Sequence, residues 1–147
     1  YMSGEDYHMH YTAAKLQTNL AGKKILLVED HKLNMEIAKK ILEKKQMKVT
    51  CAYNGAEAVA LFEKMPEYTF DAVIMDIRMP VMNGLEAAAA IRAGAKADAK
   101  TIPIIAMSAN AFAEDMEKSR RAGMNRHVAK PVEPERLFGV LSEIFSD

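Results

Sequence analysis

An α/β fold, a doubly wound sheet of five parallel strands in the order 2-1-3-4-5, is the architecture this sequence predicts. Three observations carry that expectation. From residue 23 onward, short apolar runs alternate with stretches of helical spacing. Three of the runs, Ile25-Leu26-Leu27-Val28, Ala72-Val73-Ile74-Met75 and Ile104-Ile105-Ala106-Met107, are apolar throughout, as strands covered on both faces must be. A fourth, Lys48-Val49-Thr50-Cys51, alternates polar with apolar and therefore belongs at an edge. Right-handed crossovers leave few strand orders, and an edge position for the second strand selects 2-1-3-4-5.

Each element has its own signals. The first strand covers residues 24–28, and a helix over about 34–46 follows, with Ile37, Ala38, Ile41 and Leu42 on one face. Asn54-Gly55 turns the chain after the edge strand. The next helix sets Ala58, Leu61, Phe62 and Met65 at helical spacing until Pro66 stops it. The third strand is read over 71–76, and after Pro80 and Gly84 an alanine-rich helix points Leu85, Ala88 and Ile91 inward. Residues 94–100 are a polar connection. The fourth strand, 102–107, tolerates Pro103 near its start. A helix over about 112–122 is closed by Gly123, and a short strand, 127–129, runs into Lys130-Pro131. Pro134 opens the last helix, whose buried stripe is Leu137, Val140, Leu141 and Ile144.

Composition narrows function. Twenty basic and twenty acidic side chains cancel, so no global charge favours nucleic acid or an anionic membrane. No apolar stretch approaches the roughly 20 residues that span a bilayer. The start lacks the basic and apolar regions of a signal peptide. The single Cys51 has no internal disulfide partner and reads as a buried thiol, consistent with a reducing, cytoplasmic compartment. Residues 1–22 read as a linker or the tail of a preceding domain, and 23–147 as one domain. His8 and His10 are read as solvated linker residues rather than metal ligands. Most of the eleven methionines are core or loop fillers, with Met116 a candidate for a partner surface.

The strand ends are the candidate site. The first offers Glu29 and Asp30, the third Asp76, the fourth Ser108 and the fifth Lys130. A lone Asp at a strand end can simply cap a turn. Polar residues at four strand ends of a parallel sheet project from one edge, where ligands of such sheets bind. Three carboxylates there repel one another unless a cation neutralises them. Oxygen donors without His or Cys suit Mg2+. With the Lys130 ammonium and the Ser108 hydroxyl, the set is built to hold a dianionic phosphoryl group. On this chemistry Asp76 is either a metal ligand alone or also a nucleophile.

Residues 24–145, carrying these five residues with Lys130-Pro131, resemble the receiver domain of two-component response regulators, a flavodoxin-like fold. The resemblance implies that Asp76 is the phosphoacceptor, taking a phosphoryl group from a histidine kinase or a histidine phosphotransfer domain. It implies that Asp30 and Asp76 bind Mg2+ with the backbone carbonyl of Arg78, and that Glu29 acts mainly through metal-bound water. Ser108 and Lys130 would hold phosphoryl oxygens, and Lys130-Pro131 would be a cis peptide. Arg78 and Asn110 fall where the family tunes dephosphorylation. The family often carries Tyr or Phe three residues before the lysine; His127 stands there, as is familiar in receivers fused to hybrid sensor kinases. The resemblance further implies a phosphorylation-driven change on the face of the fourth helix, fifth strand and fifth helix. The chain is then an acceptor module rather than an ordinary enzyme. It is expected to be a single-domain regulator or a piece of a hybrid histidine kinase with kinase domains in cis, the parent chain being possible to anchor in a membrane.

Two other readings compete. An aspartate-nucleophile phosphohydrolase of the haloacid-dehalogenase type has a second Asp two residues after the first, where this chain has Arg78. A phosphorylation-independent docking module is expected to have lost an acid or the lysine, and none is lost. Nucleotide binding fails because residues 29–34 contain no glycine.

Overall fold

The computed structural model describes residues 19–109 and 113–146. Strands β1 (Lys24–Val28), β2 (Lys48–Ala52), β3 (Ala72–Asp76), β4 (Ile104–Ser108) and β5 (Arg126–Ala129) alternate with helices α1 (Lys32–Lys44), α2 (Gly55–Lys64), α3 (Gly84–Ala93), α4 (Ala113–Arg121) and α5 (Pro134–Phe145). The sheet is parallel throughout and runs β2-β1-β3-β4-β5. That is the predicted order. It puts the carboxyl ends of β1, β3, β4 and β5 along one edge, which is what positions the site.

Successive side chains of a strand point to opposite faces, and the apolar runs divide accordingly. Leu26, Val28, Val73, Met75, Ile104 and Ala106 meet Ala58 and Phe62 of α2 and Ala88 and Ile91 of α3 on one face. Ile25, Leu27, Ala72, Ile74, Ile105 and Met107 meet Met35, Ala38 and Leu42 of α1 and Leu137 and Leu141 of α5 on the other. Every residue of β3 and β4 is buried, whereas β2 alternates at its edge, as its sequence demands.

Element ends depart from the sequence reading for identifiable reasons. Helix α1 starts at Lys32 rather than near 34, because His31 Nδ1 accepts the Asn34 N–H at 3.4 Å and caps it. It stops at Lys44, and Gln46 takes a positive φ of 63°. Strand β3 starts at Ala72, since Asp71 turns its carboxylate to accept the Lys24 N–H at 2.7 Å. Strand β4 begins after Pro103 and extends through Ser108, and β5 gains Arg126. Leu85, Val140 and Ile144 are only half-buried; Ala87 takes the inward position on α3. In the 94–100 connection, Asp98 and Ala99 are buried, and Asp98 accepts the Tyr68 N–H at 3.1 Å. Among the described residues no helix is long and apolar enough to cross a membrane.

Candidate functional site

Strand β1 delivers Glu29 and Asp30 at its carboxyl end, and β3 delivers Asp76 as its own last residue. Their carboxylate oxygens lie within 4.8 Å of one another; Glu29 and Asp76 are buried and Asp30 is exposed. Strand pairing enforces this convergence, since Val28 is level with Met75 and Asp76 with Met107. Ser108 is buried one step further along β4, level with Ala129, and its carbonyl accepts the Lys130 N–H at 2.8 Å.

Lys130 enters the acidic cluster directly. Its Nζ lies 2.9 Å from Glu29 Oε2 and 2.8 Å from Asp76 Oδ2. Asp76 Oδ1 accepts the Arg78 N–H at 3.2 Å, and Glu29 Oε1 accepts the His31 N–H at 3.2 Å. Burial pushes the Glu29 carboxyl above its ordinary range; hydrogen bonds from Lys130 and the His31 amide oppose this, and the charge of Asp76 adds to it. Burial alone would lower Lys130, but its bonds to Asp76 and Glu29 outweigh that and raise it. Lys130-Pro131 is a cis peptide, as the resemblance implied.

The loop after Asp76 folds back on it. The Gly84 N–H donates to the Ile77 carbonyl at 2.8 Å, and a Cβ at Gly84 would collide with the Asp76 carbonyl. Only glycine lets α3 start this close to the backbone of Asp76. Asn83 caps α3, accepting the Glu86 N–H at 2.8 Å while Glu86 returns a bond to the Asn83 N–H at 3.2 Å. Beside the site lies a hollow of about 550 Å³ lined by Arg78, Ser108, Asp115 and Lys118 among others. A second, of about 370 Å³, opens across Glu29, Lys130 and Asn34.

The donors fit a hard divalent cation: three carboxylates, with neither sulfur nor imidazole among them. Lys130 provides part of the balancing positive charge. His127 is half-buried. Its Nε2 is buried without a hydrogen-bond partner among the described residues. Asn110 lies outside the described residues. One contributor was not read from the sequence: Gly84, which stands out there only as a turn glycine.

An open parallel sheet with an acidic, lysine-bearing cleft at its carboxyl edge defines an α/β module with its site at the strand ends. The response regulator receiver domain profile matches residues 25–142. Hybrid signal transduction histidine kinase I of Dictyostelium discoideum is 35% identical over 122 residues, covering 82% of this chain and 7% of the relative. Histidine kinase 3 of Arabidopsis thaliana is 33% identical over 157 aligned positions, covering 95% of this chain and 15% of the relative. The receiver domain of a Pseudomonas aeruginosa sensor histidine kinase, crystallised with a magnesium ion in its active site cleft, superposes with a TM-score of 0.77 at 36% identity, covering 86% of this chain and all of that one. A chemotaxis response regulator of Vibrio cholerae superposes equally, TM-score 0.77 at 28% identity, covering 85% of this chain and 100% of that one. The chain belongs to the response regulator receiver domain family of two-component signalling. It spans only a small fraction of the curated kinases it matches.

Proposed function

We propose that Asp76 accepts a phosphoryl group from a phosphohistidine. The observation that carries this reading is the placement of the Asp76 carboxylate, buried at a strand end, with Lys130 on one oxygen and the Arg78 N–H on the other, inside a cluster with Glu29 and Asp30. One Asp76 oxygen attacks phosphorus and the P–O bond forms as the P–N bond to the donor imidazole breaks; the electron pair of that bond stays on the departing nitrogen, and the ring, already protonated on its other nitrogen, leaves as neutral imidazole. Asp30, Asp76 and the Arg78 carbonyl would hold Mg2+, with Glu29 acting through its water; the ion would supply positive charge against the phosphoryl oxygens. Lys130, already at Asp76, shifts to one phosphoryl oxygen, and the Ser108 hydroxyl donates to another. The pull on Ser108 biases the α4–β5–α5 face, with His127 in the switch position and Arg78 and Asn110 tuning phosphoryl loss. The donor is a histidine kinase or phosphotransfer domain, the parent chain a hybrid histidine kinase, and the module cytoplasmic.

Incubation with acetyl phosphate and Mg2+, read by intact mass, tests this. The wild type is expected to gain one phosphoryl group and Asp76→Asn none. Equal gain in both removes Asp76 from the role.

A further inference from the structure

Away from the acidic cleft, one guanidinium ties three segments together. Arg92, on the last turn of α3, donates to the Gly123 carbonyl through Nε at 3.0 Å and Nη2 at 2.8 Å. Its Nη1 donates to the Ala99 carbonyl at 3.0 Å, and its Nη2 also to Asn125 Oδ1 at 2.9 Å. That same Oδ1 accepts the Ile104 N–H at 2.8 Å, while the Asn125 N–H donates to the Ile104 carbonyl at 2.8 Å. The α4–β5 turn is thereby fastened both to α3 and to the first residue of β4. Gly123 is shaped for this contact. Its φ is +101°, and a Cβ there would meet Arg92 Cγ at 2.7 Å. Two residues beyond Asn125 stands His127, and β5 then delivers Lys130 to Asp76.

We propose that Arg92 is a positioning residue whose fork locks the α4–β5 turn onto α3 and, through Asn125, onto β4, so that α4 and the Lys130 end of β5 respond together to chemistry at Asp76. The coupling half of this rests on the phosphoacceptor reading; the locking half does not. Four directed donations from a planar fork are something a lysine, with its single point charge, does not reproduce. Asp at position 125 keeps the acceptor and rewards the arginine, so it preserves the lock.

The test is amide hydrogen exchange on the wild type, Arg92→Lys, Arg92→Ala and Asn125→Asp, before and after acetyl phosphate with Mg2+, with phosphoryl uptake measured by intact mass on the same samples. In the unmodified protein, residues 122–128 are expected to exchange on the order of tenfold faster in both Arg92 variants, and at the wild-type rate in Asn125→Asp. Phosphoryl uptake is expected to match the wild type in all of them. After phosphorylation, exchange changes in both α4 and β5 in the wild type, but only in β5 in Arg92→Lys. Wild-type protection over 122–128 in Arg92→Lys, or a full α4 response in it, overturns the proposal. If Arg92→Ala does not fold, the lysine variant still decides. If the wild type takes up no phosphoryl group, the Asp76 reading and the coupling fall, while protection over 122–128 judges the lock on its own.

Discussion

Lys130 has two acidic partners where a surface lysine would have water, and that is the main fact at the scale of single residues. Its Nζ is within 2.9 Å of both Glu29 and Asp76, so the cluster carries its own counter-charge. His127 lies on β5, which leads into Lys130, but its buried Nε2 has no hydrogen-bond partner among the described residues. Burial lowers its imidazole pKa, and the charge of Asp115 partly restores it. The folded state therefore holds His127 neutral down to a lower pH than the unfolded chain does. Its contribution to stability is complete above the unfolded value near 6.5 and is lost as pH falls through the folded value. The side chain is only partly buried, so solvent screening keeps the effect small. Urea unfolding of the wild type and His127→Gln between pH 5 and 8 checks it. The wild type is expected to lose more stability toward acid than the variant, and parallel pH profiles would show that the imidazole titrates alike in both states.

Elements were legible in the sequence where burial alone decides them. Strands β1, β3 and β4 were recognisable because, between its ends, a strand covered on both faces has no room for a polar residue, and β2 because it has one open face. Boundaries were not legible where one side chain settles them, as His31 does by capping α1. The loop from β3 to α3 holds a strain that its sequence does not advertise. Val81 is 84% exposed and has φ +70°, a left-handed conformation that β-branched residues resist. Nothing is gained there from burying its side chain. Val81→Asn, which tolerates that backbone, is expected to stabilise the fold by about 1 kcal/mol. Val81→Gly should help less, because glycine also frees the unfolded chain. A urea midpoint that falls in the asparagine variant would mean that Val81 makes a compensating contact.

The whole molecule gathers at one edge what the chain keeps far apart. Glu29, Asp30 and Asp76 were recognisable before folding because each follows an apolar run, and a parallel sheet sends all such ends the same way. Arg92 was not recognisable, because its partners Gly123 and Asn125 lie 31 and 33 residues on and nothing local marks them. Bringing three carboxylates within 4.8 Å is work that folding does against repulsion, and Lys130 offsets only part of it. A divalent cation that binds this cluster, and not the dispersed carboxylates of the unfolded chain, must stabilise the fold by mass action, by about 2.7 kcal/mol at a hundred times its dissociation constant. Thermal unfolding is therefore expected to rise with Mg2+ along a saturating curve and to return to its starting value with a chelator. Asp30 is the exposed member of the cluster and has the least to lose by substitution. Asp30→Asn should accordingly weaken the Mg2+ response while leaving the metal-free protein nearly as stable as before. Sodium chloride at equal ionic strength separates binding from screening, since screening acts without saturation. An equal rise with sodium, or an undiminished Mg2+ response in Asp30→Asn, would mean that these carboxylates do not act as one cation site.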